Sequence, residues 1–359
     1  MLERYGHGGD LLTAEETFGR EADTFLDFSS NMNPFGPPEA VKVCCSRFAE
    51  QIHRYPDPAV RRLRRKLSDL HRIPEESLLV GNGAAELIEL AVRVLQPERT
   101  ALARPSFSEY EEAVEKAGGR LLELPLRADR GFVLSREEAE AALPHADVFF
   151  FGHPNNPTGR LLDPGVIRSL LDGGATVILD EAFIDFHPRQ EELTWIREAA
   201  ESRNLLVIRS MTKFYAIPGI RLGYIAAHPD RITAMKRLQV QWSVNGLAQD
   251  IGEAVLEDRE YASRTLAWLA EERPRFIRRL EETGLSVIPS DTNFVLFSLG
   301  RGPGWPDIKE LQGRLGKEGI LIRDASLFPG LDRSYGRLAV RRKEDNDRLA
   351  DALQRCLLH

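Results

Sequence analysis

The chain has 359 residues, 42% hydrophobic and 29% charged, with a formal net charge of −7; this fits a globular protein of two associated domains and argues against general nucleic-acid affinity. Its three cysteines, with Cys44 and Cys45 adjacent, exclude a disulfide framework. No apolar run approaches the ~20 residues that span a bilayer, and the first residues lack the apolar core of a signal peptide, so a cytoplasmic location with no membrane partner is expected.

Between about residues 75 and 240 short apolar runs alternate with amphipathic stretches. Gly81-Asn82-Gly83-Ala84-Ala85-Glu86 leads into Leu87, Leu90, Ala91 and Val94, whose i, i+3, i+4, i+7 spacing predicts a helix. Val148–Phe151, Ala175–Leu179 and Leu205–Ile208 predict buried strands, with helices over Pro164–Leu171 and Glu191–Ala200. This alternation implies an α/β fold, a mostly parallel sheet covered by helices on both faces. After about residue 245 a charged helical region, Glu253–Glu282, precedes strand candidates Asn293–Phe297, Ile320–Arg323 and Arg337–Val340. We expect a large domain over 46–245, a smaller α+β domain over 246–359, and a segment 1–45 that contributes to the small domain and to a substrate site.

Several motifs follow predicted strands, where ligands of parallel sheets bind. Lys213, in Ser210-Met211-Thr212-Lys213, follows Leu205–Ile208 and precedes Arg221 in Gly219-Ile220-Arg221-Leu222-Gly223. An amine so placed suits a Schiff base with an aldehyde cofactor, with Ser210 and Arg221 available to a phosphate. Gly83-Ala84 at a helix start offers free N–H groups to the same anion. Asn156, in His153-Pro154-Asn155-Asn156-Pro157-Thr158-Gly159, sits in a rigid turn and offers an amide. Asp180 ends a strand and could keep a pyridine nitrogen protonated. Each element alone is ordinary, a turn or a helix cap. The eight histidines show no pair at ligand spacing, so no metal is expected.

In this order the motifs resemble those of the aminotransferase fold (fold type I) of pyridoxal-phosphate enzymes, nearest to the branch containing histidinol-phosphate aminotransferase. The resemblance covers nearly the whole chain. It implies pyridoxal 5'-phosphate as cofactor, Lys213 and Asp180 as catalytic residues, and a cofactor site of Gly83, Ala84, Phe107, Asn156, Asp180, Ser210, Lys213 and Arg221. Tyr55, in Arg54-Tyr55-Pro56-Asp57, matches a tyrosine that reaches the partner subunit's cofactor phosphate, which implies a homodimer. Phe183 stands where the aminotransferases commonly have tyrosine.

None of these residues selects the reaction. That depends on which Cα bond is held perpendicular to the cofactor ring, a matter of substrate placement. Arg323 and Arg337 match two arginines that bind substrate phosphate in this branch, and a guanidinium fork suits a dianion. His7-Gly8-Gly9 resembles the opening of the L-threonine-O-3-phosphate decarboxylases of the cobalamin pathway. Where that family has asparagine this chain has Asp10, which we leave out of the expected site. Leu26-Asp27-Phe28-Ser29-Ser30-Asn31-Met32-Asn33-Pro34, with Asn31 at a substrate contact, matches it too, as does Asp180-Glu181-Ala182-Phe183-Ile184-Asp185-Phe186, phenylalanine included. This closer resemblance implies decarboxylation of L-threonine O-3-phosphate to (R)-1-amino-2-propanol O-2-phosphate. The substrate would be held by His7, Gly8, Gly9, Asn31, Asn156, Arg323 and Arg337, with Lys213 returning a proton to Cα. A histidinol-phosphate transaminase shares every cofactor residue, and a serine-phosphate decarboxylase differs by one methyl, worth only ~1–3 kcal/mol of discrimination. A cofactor-binding sensor without turnover would normally carry a DNA-binding domain, and none is evident here.

Overall fold

A computed structural model describes residue 2 and residues 8–300 and 304–358. Its strands, in chain order, are β1 (Leu26–Asp27), β2 (Leu78–Gly81), β3 (Arg99–Arg104), β4 (Arg120–Pro125), β5 (Val148–Gly152), β6 (Thr176–Asp180), β7 (Leu205–Ser210), β8 (Gly223–Ala227), β9 (Ser286–Val287), β10 (Phe294–Ser298), β11 (Ile320–Leu321), β12 (Arg323–Asp324) and β13 (Tyr335–Ala339).

The central sheet has the order β2-β8-β7-β6-β5-β3-β4, and β8 alone runs against the others. Its inner strands are buried along almost their whole length because both faces are covered. Alternate side chains divide between two cores, as the strand period of two requires. Phe149, Phe151, Val177, Leu179, Leu205 and Val207 face helix Pro164–Asp172 through Val166, Ile167 and Leu170. Val148, Phe150, Ile178, Leu206 and Ile208 face helix Ala84–Leu95 through Leu87, Ile88 and Ala91.

The second sheet, β12-β13-β10-β9, is antiparallel. It packs Phe297 and Leu338 with Phe276 of helix Arg259–Glu282 and Leu353 of helix Lys343–Leu358. The residues around β1 join this part of the molecule, because β1 pairs in parallel with β11 (Leu26 beside Ile320) and the Ala339 N–H donates to the Phe28 carbonyl at 2.9 Å, whereas helix Glu39–Phe48 packs Val41 into the core of the central sheet.

Three expected elements are divided. The run Ile320–Arg323 becomes β11 and β12 in different sheets, and Gln312 Nε2 donates to the intervening Ile322 carbonyl at 2.9 Å. Helix 253–282 becomes Gly246–Val255 and Arg259–Glu282, the second capped by Asp258 accepting from the Tyr261 N–H. Helix 191–200 breaks at Thr194 and Trp195, whose hydroxyl and N–H donate to buried Glu181 at 2.6 and 2.9 Å. A fully buried carboxylate must be satisfied, and that need overrides helix propensity. Among the described residues no helix is long and apolar enough to cross a membrane.

Candidate active site

The parallel strands of the central sheet end at one edge, and a cavity of about 370 Å³ opens there against the second sheet. Of the residues singled out from sequence, Gly8, Asn31, Ala84, Phe107, Asn156, Asp180, Ser210, Lys213, Arg221, Arg323 and Arg337 line it.

One end is built for an anion. β2 runs through Gly83 into a helix that has no side-chain N-cap, so N–H groups at its start are not taken by a capping side chain. Gly83 has φ +85°, and a Cβ there would lie 2.7 Å from Arg221 Nη2. Only glycine therefore lets this guanidinium lie against the helix start. At Gly223 a Cβ would come within 2.9 Å of the Ala84 nitrogen, so the close approach of β8 to that helix also requires glycine. Ser210, ending β7, shares a 2.8 Å hydrogen bond with the Thr212 hydroxyl.

Lys213 follows on the same loop. Burial drives its amine down to about 8, the Arg221 and Arg337 charges act in the same direction, and Asp180 opposes them. Asp180, at the end of β6, is pushed up to about 6 by burial, against which the Tyr110 hydroxyl (2.7 Å) and the Ala182 N–H (3.0 Å) stabilise the carboxylate. Behind both strand ends lies a buried ion cluster. Arg209 donates to Glu181 at 3.0 Å and to Asp185 at 2.6 Å, tying the residues next to Asp180 and Ser210 together.

Tyr110 was not foreseen from sequence. Its ring stacks on Phe150, with centroids 4.1 Å apart, which fixes the hydroxyl against Asp180. The available signal was a tyrosine one helical turn beyond Phe107 in an otherwise apolar helix face, where a buried hydroxyl needs a partner. Phe107 packs edge-on against it at 5.7 Å.

The second sheet contributes a cationic wall. Arg323 and Arg337 are directly opposed across β12 and β13, and both are buried. Opposed residues of a strand pair share one face, and both arginines line the cavity. Arg337 donates to Asn156 Oδ1 and, at 2.8 Å, to the Ser29 carbonyl. Among the described residues, buried Asn31 Oδ1 has no hydrogen-bond partner. Phe183 lies in the wall with its ring edge-on to Phe294 at 4.9 Å.

The glycines near the N-terminus pack into this wall. A Cβ on Gly8 would lie 2.3 Å from the Ser29 carbonyl oxygen, and the Gly9 N–H donates to Ser29 Oγ at 2.8 Å with Gly9 at φ +84°. His7 lies outside the described residues. Asp10 caps helix Leu11–Phe18 by accepting from the Thr13 N–H and hydroxyl, which accounts for an acid next to a cationic site. Tyr55 is not brought to the cavity of its own chain; it is 85% exposed and its ring lies 5.3 Å from that of Trp242.

Fold and site define a class. The family model for aminotransferase class I and II matches residues 23–353, and the chain belongs to that family. It is similar to threonine-phosphate decarboxylase of Salmonella typhimurium, 39% identical over 98% of this chain and 96% of that one. Among solved structures it is similar to L-threonine-O-3-phosphate decarboxylase from Porphyromonas gingivalis (29% identity, TM-score 0.82) and histidinol-phosphate aminotransferase from Clostridium acetobutylicum (32% identity, TM-score 0.85). Each of these covers 92% of this chain and 98% of the other.

The protein is an enzyme whose cofactor is pyridoxal phosphate. Its residues fit that group: a glycine cradle that a Cβ would fill, an uncapped helix start beside a guanidinium, a lysine amine near neutrality inside the cavity, and a buried carboxylate.

Proposed function

We propose that this enzyme decarboxylates L-threonine O-3-phosphate to (R)-1-amino-2-propanol O-2-phosphate, a step of cobalamin biosynthesis. The observation that supports a phosphorylated substrate is the pair Arg323 and Arg337, and what favours the decarboxylase over the transaminase is Gly8 packed on Ser29 with Phe183 in the same wall. Two guanidiniums side by side match a phosphate dianion better than a carboxylate.

In this reading Ser210, Arg221 and the N–H groups at Gly83 and Ala84 bind the cofactor phosphate. Phe107 covers the ring, Asn156 donates to its phenolic oxygen, and Asp180 holds a proton on its nitrogen. Pyridoxal phosphate, when bound, supplies an aldehyde for the substrate amine and a ring that takes up the electron pair released at Cα. Arg323 and Arg337, with His7, Gly8, Gly9, Asn31 and Asn156, hold the substrate. With Arg337 on the phosphate, no arginine of this pair is spent on the α-carboxylate, and that group is left as the one to depart. Lys213 then returns a proton to Cα, a positioned transfer typically worth about 10²–10⁴-fold. Segment 1–45 belongs to the substrate site in this reading, and 46–245 and 246–359 form its large and small domains.

The test is CO2 release from L-threonine O-3-phosphate by the cofactor-loaded enzyme, with and without 2-oxoglutarate. CO2 with no need for the keto acid supports the reading. Glutamate without CO2 would make the enzyme a transaminase.

Tyr110→Phe removes a donor from Asp180, so the Asp180 carboxyl moves further up from about 6. Activity requires the ionised carboxylate. The acid limb of the pH–rate profile therefore shifts to higher pH, which a kcat profile between pH 5 and 9 would show.

We further propose a homodimer in which Tyr55 serves the partner's site. Support comes from its position away from its own cavity and from exposed apolar neighbours in the chain, with Ile52 72%, Val240 75% and Trp242 46% exposed. Mixing Tyr55→Ala with Lys213→Ala chains should then restore one intact site per hybrid dimer and recover activity that neither variant has alone. No recovery in confirmed hybrids would refute the sharing.

A further inference from the structure

We propose that Phe328 recognises the substrate's methyl group and sets selectivity for threonine phosphate over serine phosphate; this rests on the decarboxylase reading above. The two substrates differ by one methyl, on the carbon that carries the phosphate ester. Wherever the arginine pair holds the phosphate, that methyl lies one bond from the ester carbon. An apolar side chain lying against one of those arginines is therefore within reach of it.

The cavity wall offers apolar side chains in several places. Ala84, Ala85 and Ile88 belong to the helix whose start stands with Arg221, and Phe107 stands beside Tyr110 and Asp180. On the arginine side the Arg323 guanidinium lies over the Phe328 ring, 5.4 Å from its centroid. Arg337 lies over Phe294 at the same distance, but Phe294 is not part of the wall, and Phe183 reaches it only edge-on. Phe183 is thus one ring removed from a guanidinium, whereas Phe328 touches one and faces the cavity.

Phe328 is also held firmly. It ends the single 3-10 turn Ala325–Leu327 that follows β12, its N–H donates to the Ala325 carbonyl at 3.1 Å, and Asp324 caps the turn through the Ser326 N–H at 2.8 Å. One short turn therefore fixes the ring relative to Arg323, and the side chain is 6% exposed. A rigid apolar wall beside a phosphate-binding arginine is the arrangement that separates a β-methyl from a β-hydrogen.

A ring against Arg323 also orients that arginine, and substrate comparison separates the two roles. Both substrates carry the same phosphate, so a misplaced Arg323 weakens both alike. Only loss of the methyl contact changes their ratio. The experiment measures kcat/KM for CO2 release from O-phospho-L-threonine and O-phospho-L-serine with wild type, Phe328→Leu and Phe328→Ala. Binding of the two product amines, (R)-1-amino-2-propanol O-2-phosphate and ethanolamine phosphate, is read from the cofactor's visible spectrum and gives the same ratio without turnover. A methyl in an apolar pocket is worth roughly ten-fold or more. Wild type should prefer the methylated member by that factor in both assays, Phe328→Ala should bring the ratio near one, and Phe328→Leu should fall between. Should Phe328→Ala not fold, Phe328→Leu, which keeps apolar bulk, decides alone. A wild type without preference, or an unchanged ratio in folded variants, overturns the inference. Wild type that releases no CO2 from either substrate overturns the decarboxylase reading instead.

Discussion

Lys213→Ala should lose the visible absorbance of the bound cofactor and at least about 10²–10⁴-fold in kcat, the usual worth of a positioned proton-transfer group, with a further loss because the nucleophile is gone. The amine is prepared for both tasks. Burial and the Arg221 and Arg337 charges bring it down to about 8, so near pH 8 about half of the molecules carry the neutral, nucleophilic form. The direction of the pH dependence follows. The rate of cofactor uptake by apoprotein should rise with pH and level off just above 8, whereas an unperturbed lysine would keep gaining to above pH 10. Stopped-flow absorbance after mixing apoprotein with pyridoxal phosphate measures this. Continued acceleration past pH 10 would show that the amine is not perturbed. Full activity in Lys213→Ala would remove it from the mechanism altogether.

What the sequence disclosed, and what it did not, follows from the range of the forces involved. The anchor motifs at Gly83, Asn156, Asp180, Ser210 and Lys213 follow strands or open helices, and strand period and glycine turns are local signals. A parallel sheet gathers such strand ends at one edge, and there the structure places them. The Tyr110 bond to Asp180 joins residues far apart in sequence and depends on a ring stacked on Phe150; the apolar helix face marks Tyr110 as buried, but nothing local names its partner. The break at Thr194 and Trp195 has a similar origin. Its cause is the carboxylate of Glu181 on another element, and the segments on either side, Gln190–Leu193 and Ile196–Glu201, are rich in good helix formers. Likewise the division of 320–323 follows from β1 pairing with β11 while β13 takes β12, a competition between distant partners. Gly8 and Gly9 are a similar case. A glycine pair near a terminus carries little local signal, and only the resemblance pointed to a site there; a side chain at Gly8 would collide with the Ser29 carbonyl, a long-range reason for glycine. Tyr55 and His7 remain parts of the proposal.

The arginine pair carries the second large effect. Arg323→Gln should raise KM for L-threonine O-3-phosphate roughly 10²-fold, because truncating one partner of a buried, hydrogen-bonded charge contact costs about 2–5 kcal/mol. Turnover at saturation should fall much less, since Lys213 and Asp180 are untouched. Arg337→Gln should cost more in kcat than Arg323→Gln, because Arg337 also holds Asn156 and the Ser29 carbonyl. A readout independent of catalysis comes from inorganic phosphate. Both guanidiniums line one cavity, and a bound dianion can accept from the two together. Phosphate should therefore raise the melting temperature of the wild-type enzyme, to a degree set by the logarithm of its concentration over Kd, and the increment should shrink in Arg323→Gln. The Arg221 site also binds phosphate in this reading, so the comparison is made with pyridoxal phosphate loaded, which occupies it. An equal increment in wild type and in both arginine variants would show that the pair is not the phosphate site, and the reading of a phosphorylated substrate would then lose its structural basis.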